Sequence, residues 1–421
     1  MTPRVLLVAA TTGYQVRSFT DAVARLGVDL RFATDRCHVL DDPWQDRAIP
    51  IRFHDEDAAV RAITAATADD PVDGVLAVGD RPAVIAAGVA HALRLRWHSP
   101  DAARIAANKL LTRVRLREAD LPSPWFTSLP IDVSAESVSD GITFPCVVKP
   151  LSMAASRGVI RANTTAELIA AVHRVRGLLR LPGVQAMRDP TTLTLLVEEY
   201  VAGWEVAVEG VMSDRVLQIL AIFDKPDPLE GPFFEETIYV TPSRLPDSDG
   251  RRIAQAVTRA TSALGLSDGP IHAECRVNER GVFVLEVAAR PIGGLCAKAL
   301  RFDGAGDTVV TLEELLLRHA VGEPVTAYRR ETQAAGVMMI PIPTDGLYKR
   351  VAGRDDARAV NYIEEIVITA KLDQRIRPLP EGGSYLGFIF ARAPRHEEVV
   401  GALRASHERL RFEIDPSIPM M

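Results

Sequence analysis

The tightest local constraint in this chain is the stretch Ile271–Leu295, IHAECRVNERGVFVLEVAARPIGGL. Two runs of alternating character are joined by Glu279-Arg280-Gly281, which reads as a β-hairpin with Gly281 at the left-handed position of a three-residue loop. That pairing sets Glu274 opposite Glu286. Strand alternation puts Ile271, Ala273, Cys275 and Val277, with Phe283, Leu285 and Val287, on one apolar face. His272, Glu274, Arg276 and Glu286 share the other. Directly opposed side chains lie roughly 5 Å apart, so the two carboxylates repel unless something positive stands between them. Oxygen ligands at that spacing suit Mg²⁺ shared with a nucleotide's phosphates. In the alternative, one glutamate sits at a solvated edge and Arg276 neutralises the other. The pair alone does not decide.

A chain of 421 residues exceeds one core and implies two to four domains. Hydrophobic content of 47% and charged content of 25% are those of an ordinary globular protein. A net charge of −6 and a pI near 5.9 argue against a nucleic-acid or anionic-membrane partner. No apolar run reaches spanning length and no signal peptide is evident, which together give a cytoplasmic expectation. Cys37, Cys146, Cys275 and Cys296 form no C-x-x-C pair and read as free thiols in a reducing compartment.

Along the chain, strands at Val5–Ala10, Val28–Ala33 and Gly74–Val78 alternate with helical stretches at 17–26, Ala58–Ala68 and Pro82–Leu93. That order predicts a parallel sheet over 1–100, with ligand positions at the strand ends, Ala10–Tyr14 and Gly79–Arg81. The loop Thr11-Thr12-Gly13 lacks the G-x-G-x-x-G spacing of a dinucleotide site. Ser99-Pro100-Asp101 opens a linker helix running through Ala119, with Lys109 in its middle, and 101–122 is the linker. Over 123–203, strand Phe144–Lys149 leads into the small-residue loop Leu151–Val159, which suits close approach to a polyanion. Helix Thr165–Leu178 and strand Leu193–Tyr200 follow. Over 204–320 come a hairpin, Glu205–Val211 with Val216–Phe223, a proline-rich lid at Asp224–Leu245, helix Gly250–Leu264 and the carboxylate hairpin. Residues 321–421 read as a small α+β domain, with strands at Val337–Ile342, Tyr362–Ile368 and Tyr385–Ala391 and helix Glu397–Leu410.

Lys109, Lys149, the run VEEYVAGWEVAVEG and the paired glutamates fall in an order that resembles the ATP-grasp superfamily of carboxylate–amine ligases. The combination HAE and LEVAARPIGG, with the tail GFIFARA, is similar to the L-amino acid ligase (dipeptide synthetase) branch. The resemblance implies an ATP-grasp fold, α/β and α+β, with 123–203 and 204–320 as its small and large subdomains. It implies ATP and Mg²⁺, with Mn²⁺ as a substitute, and small-molecule carboxylate and amine substrates. A homodimer stays open. By position, Lys109 and Lys149 would hold the α- and β-phosphates, and Glu198, Glu199 and Val201 would line the adenine pocket. Glu205 would accept from the ribose hydroxyls, Glu274 and Glu286 would ligate the metal, and Arg290 would face the γ-phosphate and the substrate carboxylate. The superfamily's third metal ligand, an asparagine, is here Ala288.

The residue types suit that chemistry on their own terms. Activating a carboxylate needs a phosphoryl transfer, to which a protein contributes positioning and charge neutralisation. Arg290 can hold an oxyanion bidentately, and Gly293-Gly294 lets backbone N–H groups approach the same anion. An acylphosphate hydrolyses in water, so a lid has a purpose, and Lys225, Glu235 and Glu236 on it could reach the site. His272 touches substrate or simply pairs with a glutamate. Trp97 and His98 read as packing. Two other readings keep the fold: a carboxylase or purine-pathway type of ligase with another acceptor, and a nucleotide-binding regulatory protein without turnover.

Overall fold

The structure is a computed structural model that describes residues 2–11, 15–35, 48–134, 141–304 and 308–416. Thr12, Gly13 and Tyr14 of the first candidate ligand loop, and Cys37, lie outside those residues. The described part of the N-terminal region contains a parallel sheet in the order Ile49–Pro50, Asp29–Thr34, Arg4–Ala9, Gly74–Val78. Val5 to Val8 are completely buried, as an uninterrupted apolar strand covered on both faces must be. Strand Gly74–Val78 ends at Gly79, whose φ of +103° favours glycine, and helix Asp80–Leu93 begins at the next residue.

The expected single linker helix is two helices, Pro100–Ala106 and Lys109–Glu118. Asn108 breaks it: its side chain accepts from Leu110 N and Leu111 N and so caps a new helix start. Lys109 therefore sits at the first position of a helix, not in the middle of one.

A small antiparallel sheet follows, in the order Phe126–Pro130, Thr194–Glu199, Cys146–Pro150, Ile160–Ala162, with helix Thr165–Leu179 packed on it through Leu168, Val172 and Val175. The large sheet has eight strands, in the order Gly281–Ala288, Gly269–Asn278, Trp204–Ser213, Val216–Asp224, Ile238–Thr241, Ala334–Ile340, Gly387–Ala393, Ile363–Ile368. Its continuity depends on Ile238–Thr241, which lies inside the stretch expected to be lid. These residues pair with Ala334–Ile340, Ile238 opposite Met338, and carry the sheet from the middle of the chain into the C-terminal part. Only 225–237 remains as a connection.

The carboxylate hairpin keeps the expected opposition by a different route. Asn278 pairs with Gly281, so the turn has two residues, and Leu285 is an extra residue bulged out between the Glu274–Glu286 and Cys275–Val284 pairs. Beyond the bulge the faces exchange. Val282 and Val284, not Phe283 and Leu285, join Cys275 and Val277 in the core. Phe283 lies instead under the Arg280 guanidinium, 4.9 Å from ring centre to cation. Cys146, Cys275 and Cys296 are buried free thiols. Among the described residues no helix is long and apolar enough to cross a membrane.

Candidate active site

A cavity of about 560 Å³ opens where the three sheets meet. The N-terminal sheet contributes Gly79 and Asp80, the small sheet Lys149 and Glu198, and the large sheet Glu205, Glu274 and Glu286. The Arg290–Gly294 turn and, from the C-terminal part, Met339 and Tyr385 complete the wall.

Lys109 Nζ stands 3.2 Å from Glu286 Oε2 and donates to Met153 O at 2.8 Å, while its backbone N–H reaches Leu151 O at 3.0 Å. The helix start thus holds one end of the small-residue loop. Ala155 and Ser156 in that loop have φ of +55° and +53°, a left-handed conformation uncommon for side-chain-bearing residues. Gly158 also has positive φ, and a Cβ there would come within 3.1 Å of Pro150.

Lys149 is buried and bonded to Glu198. Glu198 is shared with Arg113, whose Nε lies 2.9 Å away, and burial tends to push its carboxyl up. Arg113 and then Lys149 outweigh burial and hold it at about 2. Burial lowers the Lys149 ammonium to about 8 against the pull of Glu198. Glu198 therefore lines the cavity as a buried counterion, its carboxylate shared by Lys149 and Arg113. Arg113 also donates to Val284 O at 3.2 Å and Leu285 O at 2.8 Å, the two carbonyls at the bulge that sets Glu286.

Glu199 turns outward to Arg280. Val201 is buried, and its carbonyl accepts from Arg276 Nη1 at 2.8 Å. Glu205 accepts from Arg276 Nε at 2.8 Å and from Lys225 Nζ at 2.7 Å. Lys225 reaches Glu236 at 2.5 Å and Glu274 at 3.0 Å as well. One oxygen each from Glu205, Glu236 and Glu274 lies within 4.8 Å of the others. Lys225 is buried at the end of its strand, so it holds the floor of the cavity together instead of swinging in on a lid. Burial raises the Glu236 carboxyl to about 7 despite Lys225. Glu274 is kept well below the usual range, where Lys225 and His272 overcome its burial. Glu235 is half-buried and stands apart from this cluster.

His272 stands between a carboxylate of the neighbouring strand, Glu209, and one of its own strand, Glu274. Its Nδ1 is 3.1 Å from Glu209 and its Nε2 is 3.8 Å from Glu274. Burial disfavours its charge, yet these two carboxylates raise it to about 9. Glu209 is fully buried and also accepts from Ile292 N at 3.1 and 3.2 Å. Arg290 is buried, with Nε 2.8 Å from Asp80 Oδ1 and Nη1 3.0 Å from Pro291 O. Gly294 has φ of +62°, and a Cβ on it would press on the Phe388 ring at 3.0 Å. Gly293 follows Arg290 along the cavity wall. His98 lies outside the site. Burial lowers its imidazole to about 4, and it packs edge-on against Trp97 while bonding to Pro270 O.

Sequence reasoning passed over Arg113, Glu209, Asp80 and Gln15. A signal existed for two of them. Asp80 lies in the strand-end loop already marked as a ligand position, and Glu209 is a second carboxylate, after Glu205, in a strand otherwise rich in apolar residues.

A parallel-sheet domain, a small antiparallel sheet and a large sheet enclosing a lysine- and glutamate-lined cavity define an ATP-grasp protein. Residues 20–95 match the ATP-grasp N-terminal domain, 142–299 the ATP-grasp domain, and 338–415 the L-amino acid ligase C-terminal domain 2. The chain belongs to the ATP-grasp superfamily. It is similar to the crystal structure of an L-amino acid ligase from Bacillus licheniformis, with a TM-score of 0.82, 24% identity and 99% of each chain covered. Among curated relatives, protein y4rH of Sinorhizobium fredii is 26% identical over 75% of this chain and 63% of its own length. An alanine–anticapsin ligase of Bacillus subtilis is 30% identical over 48% of this chain and 44% of its own. The chain thus spans less than two thirds of the length of these relatives.

Proposed function

We propose that the chain is an ATP-dependent, ADP-forming ligase that couples an amino acid carboxylate, or one like it, to an amine. The observation that carries this reading is the arrangement of charge around one cavity. Lys109, Lys149, the opposed Glu274 and Glu286, and Arg290 all line it, with Lys109 3.2 Å from Glu286. The family match and the ligase names among its relatives support it.

In this reading the substrate carboxylate attacks the γ-phosphorus of ATP, the bond to the ADP oxygen breaks, and an acylphosphate forms. The amine then attacks the acyl carbon, phosphate leaves, and the amine proton is lost. Lys109 and Lys149 offset the phosphate charge, and Arg290 binds the oxyanion shared between the phosphoryl group and the carboxylate. Glu274 and Glu286 are hard oxygen donors on opposed register positions, a donor set that fits Mg²⁺ or Mn²⁺. Such an ion, held there, neutralises phosphate charge. Glu205 accepts from the ribose, and the backbone around Val201 with the outward-turned Glu199 borders the base. Gly293 and Gly294 leave room for the substrate beside Arg290, and His272 keeps Glu274 in place.

The test is phosphate and ADP release from ATP across a panel of amino acids, singly and in pairs, with mass detection of products. ADP should appear only with a carboxylate substrate, and the full rate only with an amine. Amino acid with ATP and Mg²⁺ alone should scramble label between the β,γ-bridging and β-nonbridging oxygens. AMP and pyrophosphate as products would mean an acyl-adenylate and would overturn the reading.

A further inference from the structure

The N-terminal domain enters the cavity through two side chains that grip the Arg290–Ile292 turn. Asp80 is the first residue of its helix, delivered to the cavity by the positive φ of Gly79. Its Oδ1 accepts from Arg290 Nε at 2.8 Å and its Oδ2 from Nη2 at 3.5 Å. Gln15 Nε2 donates to Ile292 O, a carbonyl that can accept only the amide's nitrogen end. From the opposite side, Glu209 takes the Ile292 N–H. The turn is therefore fixed at both its main-chain groups and at its one charged side chain.

A guanidinium has five N–H groups in a rigid plane. In Arg290 the Nε edge belongs to Asp80 and one Nη1 hydrogen to Pro291 O. One N–H on each terminal nitrogen remains. An arginine whose fork is set in advance loses less freedom when it binds an anion, and its preorganisation counts most in the transition state. Asp80 is ionised: burial works against its charge, but Arg290 and Lys109 overcome that and lower its carboxyl. A salt bridge that only tied the domains together would leave anion binding unchanged, whereas one that aims the Arg290 fork would not.

We propose that Asp80 is a positioning residue of the phosphoryl transfer, which aims the two remaining N–H groups of Arg290 at the γ-phosphate. This rests on the role given to Arg290 above, and it makes the N-terminal domain part of the reaction centre.

The experiment compares the affinities of AMP-PNP and ADP, each with Mg²⁺, for the wild type, Arg290→Ala, Asp80→Ala and the double variant, by calorimetry. The ratio of the two affinities isolates the γ-phosphate. Loss of a charge-assisted contact of this kind should lower that ratio by roughly tenfold to a hundredfold in Arg290→Ala. Asp80→Ala should lower it to a similar degree with ADP affinity unchanged, and the double variant should fall no further than Arg290→Ala alone. Asp80→Asn, which keeps the shape and one acceptor, should lie between, and it serves if Asp80→Ala does not fold. A wild-type ratio in both Asp80 variants beside a reduced one in Arg290→Ala overturns the inference and leaves the ligase reading standing. So does a double variant whose loss is the product of the two single losses. An unchanged ratio in Arg290→Ala overturns the role of Arg290 and the inference with it. Non-additive loss of the ratio in an enzyme that makes no ADP from any carboxylate and amine supports the inference and overturns the ligase reading.

Discussion

Lys225 joins Glu205 to Glu274: its ammonium lies 2.7 Å from the first carboxylate and 3.0 Å from the second, with Glu236 completing the set. An ammonium has three N–H groups, and all three are used. The glutamate proposed for the ribose and one proposed for the metal therefore share one buried cation. Lys225→Met should lower unfolding stability by about 3–5 kcal/mol, because it strands buried carboxylates without a partner. Urea denaturation of variant and wild type at neutral pH measures this. A loss within 1 kcal/mol, roughly that of an exposed pair, would show that the cluster is open to water.

The same sharing changes what to expect of Glu205. Its removal frees Lys225 and Arg276 together, so Glu205→Ala should destabilise the fold as well as weaken ATP binding. Glu205→Gln keeps one acceptor and the volume, and is the better probe. It should raise KM for ATP by roughly tenfold, the equivalent of one charge-assisted hydrogen bond, with little change in kcat. Steady-state kinetics at varied ATP decides it, and an unchanged KM with a collapsed kcat would contradict the ribose role.

Glu198 gives the fold an acid limit. Its carboxyl titrates at about 2 in the folded protein, below the ordinary value of 4.5. A depressed carboxylate contributes stability above its unfolded pKa and loses it as pH falls through the folded one. The window is therefore pH 4.5 down to 2, and the amount is roughly 3 kcal/mol. Lys149 titrates at about 8, on the other side of neutrality, and does not enter that window. Urea midpoints should fall more steeply with acid in the wild type than in Glu198→Gln. Equal slopes would mean that the Arg113–Glu198–Lys149 group is not held in the folded state.

How much of this was legible in the sequence depends on the range of the interaction. Alternation with a three-residue loop predicts the opposition of Glu274 and Glu286, which the structure reaches instead through a two-residue turn and one bulged residue. The faces beyond the bulge did not follow, since a single inserted residue at Leu285 reverses them and its anchor, Arg113, lies far back in the chain. Lys109 was found, but its place at a helix start depended on Asn108, a capping residue overlooked amid good helix formers. Ile238–Thr241 was hidden by the prolines around it, although its β-branched and aromatic residues are those of a strand. Asp80 with Arg290, and Glu209 with His272, are pairings across long separations. No pattern within one segment encodes them.

Glu274→Gln and Glu286→Gln should each abolish turnover with the fold intact, since each removes one charge from the proposed metal site and keeps the volume. The two should differ in stability. Glu286 is partly exposed and has Lys109 beside it, so its loss costs little, whereas Glu274 helps to neutralise Lys225 and His272 in the interior. Mn²⁺ binding followed by electron paramagnetic resonance should weaken in both. Near-normal ADP production by either variant would remove the metal assignment.

The C-terminal part should act on ATP through the small-residue loop it touches. Gly158 N–H donates to Pro380 O at 2.9 Å, and Arg157 Nε donates to Glu381 O at 2.9 Å. The Glu381 carboxylate takes Arg174 Nε and Nη2 at 2.6 and 3.0 Å. A segment of the C-terminal part thus braces the loop whose left-handed residues, Ala155 and Ser156, border the cavity. Arg174 and Glu381 are both partly exposed, so their pair contributes no more than about 1 kcal/mol, and Glu381→Ala should leave the unfolding midpoint almost unchanged. The loop should nevertheless move more freely, and ordering it on ATP would then cost up to that same amount. KM for ATP should rise roughly threefold to fivefold while the KM for the amine stays fixed. Arg174→Ala should match it, and the double variant should be no worse than either single one. A change confined to the amine's KM would place this contact at the other substrate, and an unchanged ATP KM would mean that the loop is held without it.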